Sequence, residues 1–269
     1  MRYRSRLPRQ LVGWSCVAIS AVIVNVLIHP SAQSSQPMTG IAPDFNLKPY
    51  MDGLDFYKPS QNNLAIFAPL GVIDPKTLGG FIAIEVDYQK MEPVQAGEGL
   101  AMVDQLFRYR KSFLVHPSVL AAMQQDPNIK DDAARDEYLM THGGMLHSFN
   151  GRPSQVKADA ENNIIERCWT ARGLFAREKN MPVIETSQGL EWRNEGGQFH
   201  RMGMSAIIAA NYLAWYENGR LHRGDGPAVV RSDKIEYWWR GEKCTPQQFE
   251  QLQLQEAKRK LERRTRDRT

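Results

Sequence analysis

The chain has 269 residues, 42% of them hydrophobic and 24% charged, a composition that excludes a disordered or fibrous polymer and is sufficient for one large or two small globular domains. Its net charge of +4 belongs to the ends, where Arg2, Arg4, Arg6 and Arg9 precede, and Lys258, Arg259, Lys260, Arg263, Arg264, Arg266 and Arg268 follow, a nearly neutral body. Three cysteines, Cys16, Cys168 and Cys244, exclude a disulfide framework and leave the redox compartment open.

Residues 11–28 carry no charge and follow the first arginine cluster. As a helix they would reach about 27 Å, close to the ~30 Å of a hydrocarbon core. The expectation is a single-pass transmembrane helix with the N-terminus cytoplasmic and the body exported. Two alternatives stand beside it: a signal peptide, with secretion after cleavage, and a buried soluble helix. Residues 30–49, rich in Ser, Gln, Pro and Gly, read as a linker. Residues 50–138 read as a small mixed α/β region. Strands are expected at 64–68 and 81–88. Leu100, Val103, Leu106, Phe107 and Leu114 keep helical spacing, so a helix is expected there, ending before His116-Pro117. Shorter helices are expected at 118–125 and 131–140.

The stretch 139–244 has a different organisation, because Trp169, Trp192, Trp215 and Trp238 recur every 23 residues. In the clearest copy, aromatic residues lead into Asn218-Gly219, the strongest short signal for a two-residue hairpin turn. Gly224, Asp225, Gly226 and Pro227 end the returning strand, residues 228–231 form the next, and Ser232-Asp233 turn the chain again. The copy before it turns at Gly196-Gly197 and keeps His200-Arg201. The copy from Trp169 turns at Gly173 and has Ala176-Arg177 in the same place. A worn first copy runs from about Leu139 through Gly143, Gly144, His147, Gly151 and Pro153, and a partial fifth holds Trp238, Trp239 and Gly241. Each unit is an antiparallel meander, and worn terminal copies suit caps.

The run from Trp215 through Asn218, Gly219, His222, Arg223, Gly226, Pro227 and Ala228 resembles the NGxxHRxDGPA repeat of bacteriophage and bacterial proteins, similar in style to β-hairpin MORN repeats. The likeness is strong only over 219–228, and the array as aligned covers about 40% of the chain. It implies a β-repeat scaffold with a binding surface and a phage or bacterial origin, and it implies no activity.

His200 and His222 raise the question of a catalytic or metal-binding ladder. The alanine in the same slot, Ala176, points instead to a structural part, with the imidazole bonded to a neighbouring turn. His142 and His147 flank Gly143-Gly144 and are candidates to approach one another, but neither has a Cys or carboxylate beside it at metal-site spacing. Arg223-Gly224-Asp225 spells the adhesion tripeptide on the repeat's own turn, where chance accounts for it. The tryptophans are expected to fill the core of each unit. The chain contains no nucleophile elbow, phosphate loop, dinucleotide fingerprint or paired-cysteine motif. No catalytic, cofactor-binding or metal residue is therefore assigned. Trp169, Trp192, Trp215, Trp238, Gly219, His200, His222, Arg223, Gly226 and Pro227 are repeat positions.

The last 25 residues, 245–269, read as a basic helix. Thr245 caps it, Pro246 suits the first helical position, and Gln248 completes a capping box. Phe249 and Leu252 are placed to cover the end of the array, Leu254, Ala257 and Leu261 continue as a thin apolar stripe, and the basic tail offers an anionic surface a contact. Taken together, the fold class is α+β: a transmembrane helix, a small mixed region, a MORN-like antiparallel meander and a capping helix. The function read from this is a membrane-anchored, non-enzymatic protein-binding or scaffolding module at the cell envelope. An exported enzyme with its site in 50–138 is the alternative.

Overall fold

The structure is a computed structural model that describes residues 73–95, 101–177, 180–186, 189–209 and 212–267. A short 3-10 turn, Pro75–Leu78, is capped by Asp74, which accepts a hydrogen bond from the Lys76 amide. The chain leaves it through Gly79 in the left-handed region. Two long strands follow, β1 (Ile82–Gln95) and β2 (Met102–Val115), paired antiparallel without a break from Ile82↔Val115 to Gln95↔Met102. The end of β2, Phe113 to Val115, is apolar on both faces and buried, and β1 contributes the buried Val86. Val86, Phe113 and Val115 join one cluster, and Leu114 joins another beneath the 3-10 turn.

Helices α1 (Pro117–Gln125) and α2 (Asp132–Thr141) cover this hairpin. His116 and Asp131 cap them, Asp131 accepting from the Ala134 amide, and α1 has proline in its first turn, where a missing N–H is harmless. Met123 and Leu139 are their buried contributions to the core.

The chain then meanders through β3 (Met145–Leu146), β4 (Gln155–Ala158), β5 (Ile164–Cys168), β6 (Thr170–Ala171), β7 (Leu174–Phe175), β8 (Ile184–Thr186), β9 (Gly189–Glu191), β10 (Ile207–Ala209) and β11 (Tyr212–Ala214). It continues through β12 (Tyr216–Glu217), β13 (Arg220–Leu221), β14 (Val229–Arg231), β15 (Ile235–Trp239) and β16 (Glu242–Cys244) into α3 (Pro246–Arg266). The main sheet runs β1-β2-β4-β5-β8-β9-β10-β11-β14-β15-β16, with β3 beside β2. β6–β7 and β12–β13 are separate two-stranded hairpins. One sheet face packs Leu190, Ile208, Leu213 and Val230 with Trp192 and Trp215, while the other packs Ile207, Ala214 and Val229 with Phe199, Tyr216 and Leu221.

Three expectations are corrected. The segment expected as a helix through residues 100–114 is strand β2. Leu106, Phe107 and Leu114 do fall at helical spacing, yet Phe107, Tyr109, Lys111, Phe113 and Val115 alternate with period two, and the 14-residue pairing with β1 decides the matter. The α+β description of a mixed region followed by a separate array is also corrected. Among the described residues the fold is mostly antiparallel sheet with three α-helices, and the same sheet passes through both stretches.

Finally, no helix among the described residues is long and apolar enough to cross a membrane. The single-pass anchor, and the cytoplasmic N-terminus and exported body read from it, are therefore not supported by the described structure. The apolar run 11–28, the linker 30–49 and the strand expected at 64–68 lie outside the described residues.

Candidate functional site

The tryptophan-bearing units repeat one set of contacts. The backbone N–H of Trp169, Trp192 and Trp215 donates to Val183, Ala206 and Ala228 at 2.9, 2.8 and 2.9 Å, tying each unit to its next strand. The carbonyls of the same three residues accept from Ala176, His200 and His222, which closes the small hairpin behind each of them. All three indoles are buried. Over each ring lies the arginine that follows the histidine slot: Arg177, Arg201 and Arg223 hold their guanidinium carbons 3.4, 3.7 and 4.1 Å from the ring centroids. Each arginine also donates from Nη1 to a carbonyl further on, that of Pro182, Ser205 or Pro227. A planar guanidinium stacks and donates at once, which an ammonium does not. Burial pushes Arg201 down to about 10, still charged at neutral pH.

The histidines hold the next turn. Nδ1 of His147, His200 and His222 accepts from the backbone N–H of Arg172, Asn218 and Arg240 at 3.1, 3.1 and 3.2 Å. Those three residues have φ of 51°, 48° and 52°, and each is followed by a positive-φ glycine, Gly173, Gly219 or Gly241. This is the backbone of a type I′ turn, and it turns an N–H outward that needs an acceptor. An accepting Nδ1 leaves the ring N–H on Nε2. The carbonyls of Leu146, Phe199 and Leu221 accept from those same glycines. Where the slot holds Ala176 the following turn is different. Residues 194–198 form a longer loop, closed by Asn194, whose side chain accepts from the Gln198 amide.

His147 thus belongs to the series, and it does not pair with His142, which stacks on Tyr138 at 4.1 Å. Trp238 departs from the other tryptophans. It is half-buried, its Nε1 donates to Glu236, and the Lys243 ammonium lies 5.8 Å from its ring centroid. Gly226 makes room for Arg223, since a Cβ there would lie 3.2 Å from the guanidinium carbon. Arg223 is held between Trp215 and Asp225, so the Arg-Gly-Asp run is an internal contact.

Sequence reasoning missed the buried ionic groups. Lys111 and Asp136 pair at 2.7 Å between β2 and α2, and the Tyr88 hydroxyl donates to the same carboxylate oxygen. Burial and the Asp136 charge hold that phenol well above its ordinary range, fully protonated. The available signal was an acidic residue on the apolar side of α2.

Glu191 is 1% exposed and pairs with Arg193 at 2.6 Å. Burial pushes its carboxyl up to about 7 against the pull of that arginine. A raised carboxyl pKa means the fold retains a proton that the unfolded chain releases. Stability should therefore be full below about pH 4.5 and fall as pH rises through 7, by an amount on the order of 2–3 kcal/mol. Urea unfolding between pH 4.5 and 8 should show that decline in the wild-type chain and a flatter profile in Glu191→Gln.

What the units leave outward is a row of turn tips. Asn194 donates to Gln198 within its own loop at 3.1 Å and to Asn218 of the neighbouring tip at 3.3 Å. Gly219 lies against Gln198, and Gly241 against Arg220. At the other end of the described fold, Asp74, Thr77, His147, Ser148, Asn150 and Arg172 are among the groups lining a half-open cavity of about 460 Å³. Burial and the Arg172 charge hold the His147 imidazole below its ordinary value. Comparison of the chain with protein-family models, with curated proteins and with solved structures finds no match.

Proposed function

We propose that this protein is a non-enzymatic hairpin-repeat module that binds a protein partner along the row of turn tips. The observation that carries the reading is the use of the recurring side chains. Tryptophan and arginine close each unit and histidine holds the turn of the next, and the tips at 194–198, 217–220 and 240–241, the first two joined through Asn194 and Asn218, remain exposed or half-exposed for a partner. The likeness of 219–228 to the NGxxHRxDGPA repeat supports it, since a repeated unit builds an extended binding face. The test is cross-linked affinity capture with the wild-type chain and with a Gln198→Ala, Glu217→Ala, Arg220→Ala variant, whose side chains are exposed. The reading expects a partner that the wild-type chain recovers and the variant loses at unchanged unfolding temperature. Equal recovery by both, or none by either, contradicts it.

A second reading, an enzyme, rests on a cavity that only partly belongs to residues 50–138, since Asp74 and Thr77 line it together with His147 and Arg172 of the repeat stretch. It requires a small molecule that raises the unfolding temperature of the wild-type chain and leaves that of Arg172→Ala unchanged.

A further inference from the structure

Helix α3 has two unlike halves. Its first half is docked: Phe249 is buried against Tyr237 and Trp239, Gln253 donates to the Gly224 carbonyl, and Arg240 pairs with Glu256. From Ala257 to Arg266 every residue is exposed. This half carries Lys258, Arg259, Lys260, Arg263, Arg264 and Arg266 against Glu262.

A helix C-terminus favours a cation or two in its last turn, and six basic residues over three turns exceed that need. Leu254 and Leu261 are 72% and 66% exposed. They lie seven residues apart on nearly the same side. Each is five residues from a docking residue, Phe249 or Glu256, which is about 140° around the helix. The apolar stripe therefore faces away from the sheet, with Lys258 and Arg264 on its two borders.

We propose that the outer half of α3 lies flat on an anionic phospholipid surface, with Leu254 and Leu261 at the boundary between headgroups and acyl chains and Lys258 and Arg264, which flank them, against the headgroups. Such a surface attracts each nearby basic side chain and takes apolar groups out of water. The contact runs in the plane of the surface, so it needs no helix able to cross a membrane. A nucleic acid is the other polyanion this charge suits. Phosphate contacts alone would hold it, leaving both leucines in water. The two exposed leucines favour lipid.

The test is co-flotation of the full chain with phosphatidylcholine vesicles and with vesicles that also contain phosphatidylserine, alongside capture on duplex DNA. Two variants are compared with the wild type: Leu254→Ser with Leu261→Ser, and Lys258→Gln with Arg264→Gln. The changed side chains are exposed, so far-ultraviolet circular dichroism and unfolding temperature should stay as they were. On phosphatidylserine vesicles the leucine variant should lose about tenfold in binding and the charge variant more, with wild-type binding weakened at high salt. DNA capture should be the weaker of the two. The proposal is overturned if either variant floats with phosphatidylserine vesicles as well as the wild type does. It is equally overturned if duplex DNA is bound more tightly and the leucine variant keeps that binding.

Discussion

Asp136→Ala is expected to destabilise the fold by about 3–5 kcal/mol, because it leaves the Lys111 ammonium buried without its counter-charge. Lys111 is 3% exposed, and the same substitution removes the acceptor for the Tyr88 hydroxyl. The two losses fall at one place, where α2 meets the β1–β2 hairpin. Chemical denaturation monitored at α2 and at the hairpin should show both destabilised together. The double change Lys111→Met with Asp136→Leu should recover most of the loss, since a well-packed apolar pair replaces a buried ion pair at little cost. If Asp136→Ala proves near neutral, the buried pair is not what joins these elements.

Trp192→Ala should cost about 3–5 kcal/mol, the range for removing a fully buried large aromatic side chain. The indole also donates from Nε1 to the Asn180 carbonyl at 2.7 Å and carries the Arg201 guanidinium over its face. Without it, a buried cation loses its stacking partner. Trp238→Ala should cost clearly less, because Trp238 is half-buried and no arginine among the described residues lies over its ring. The ordering of the two is the informative result. Equal losses would mean that position in the array does not set the role of its tryptophan.

What could be read from the residues was local. The Asn218-Gly219 turn follows from two neighbours that tolerate positive φ, and both adopt it. The start of α3 follows from three side chains. Thr245 accepts from the Gln248 amide, Gln248 accepts from the Thr245 amide, and Pro246 opens the helix. The part played by His200 and His222 was legible through contrast with Ala176, and the altered turn after Ala176 gives that contrast its physical cause.

What could not be read was non-local. β2 holds residues at both helical and strand spacing, and only pairing with β1 decides between them. The Lys111–Asp136 pair joins residues 25 apart on elements of different type, for which no short motif exists. Glu191 looks like any surface glutamate until neighbouring strands close over it.

Amide hydrogen exchange at the hairpin turns tests most directly the claim that each histidine holds the turn of the next unit. In His200→Ala the account predicts faster exchange at the Asn218 amide, and in His222→Ala at the Arg240 amide, with the amides of the Asn194 to Gln198 loop unchanged in both. Unchanged protection at Asn218 and Arg240 would contradict it, as would an equal loss at all the turns.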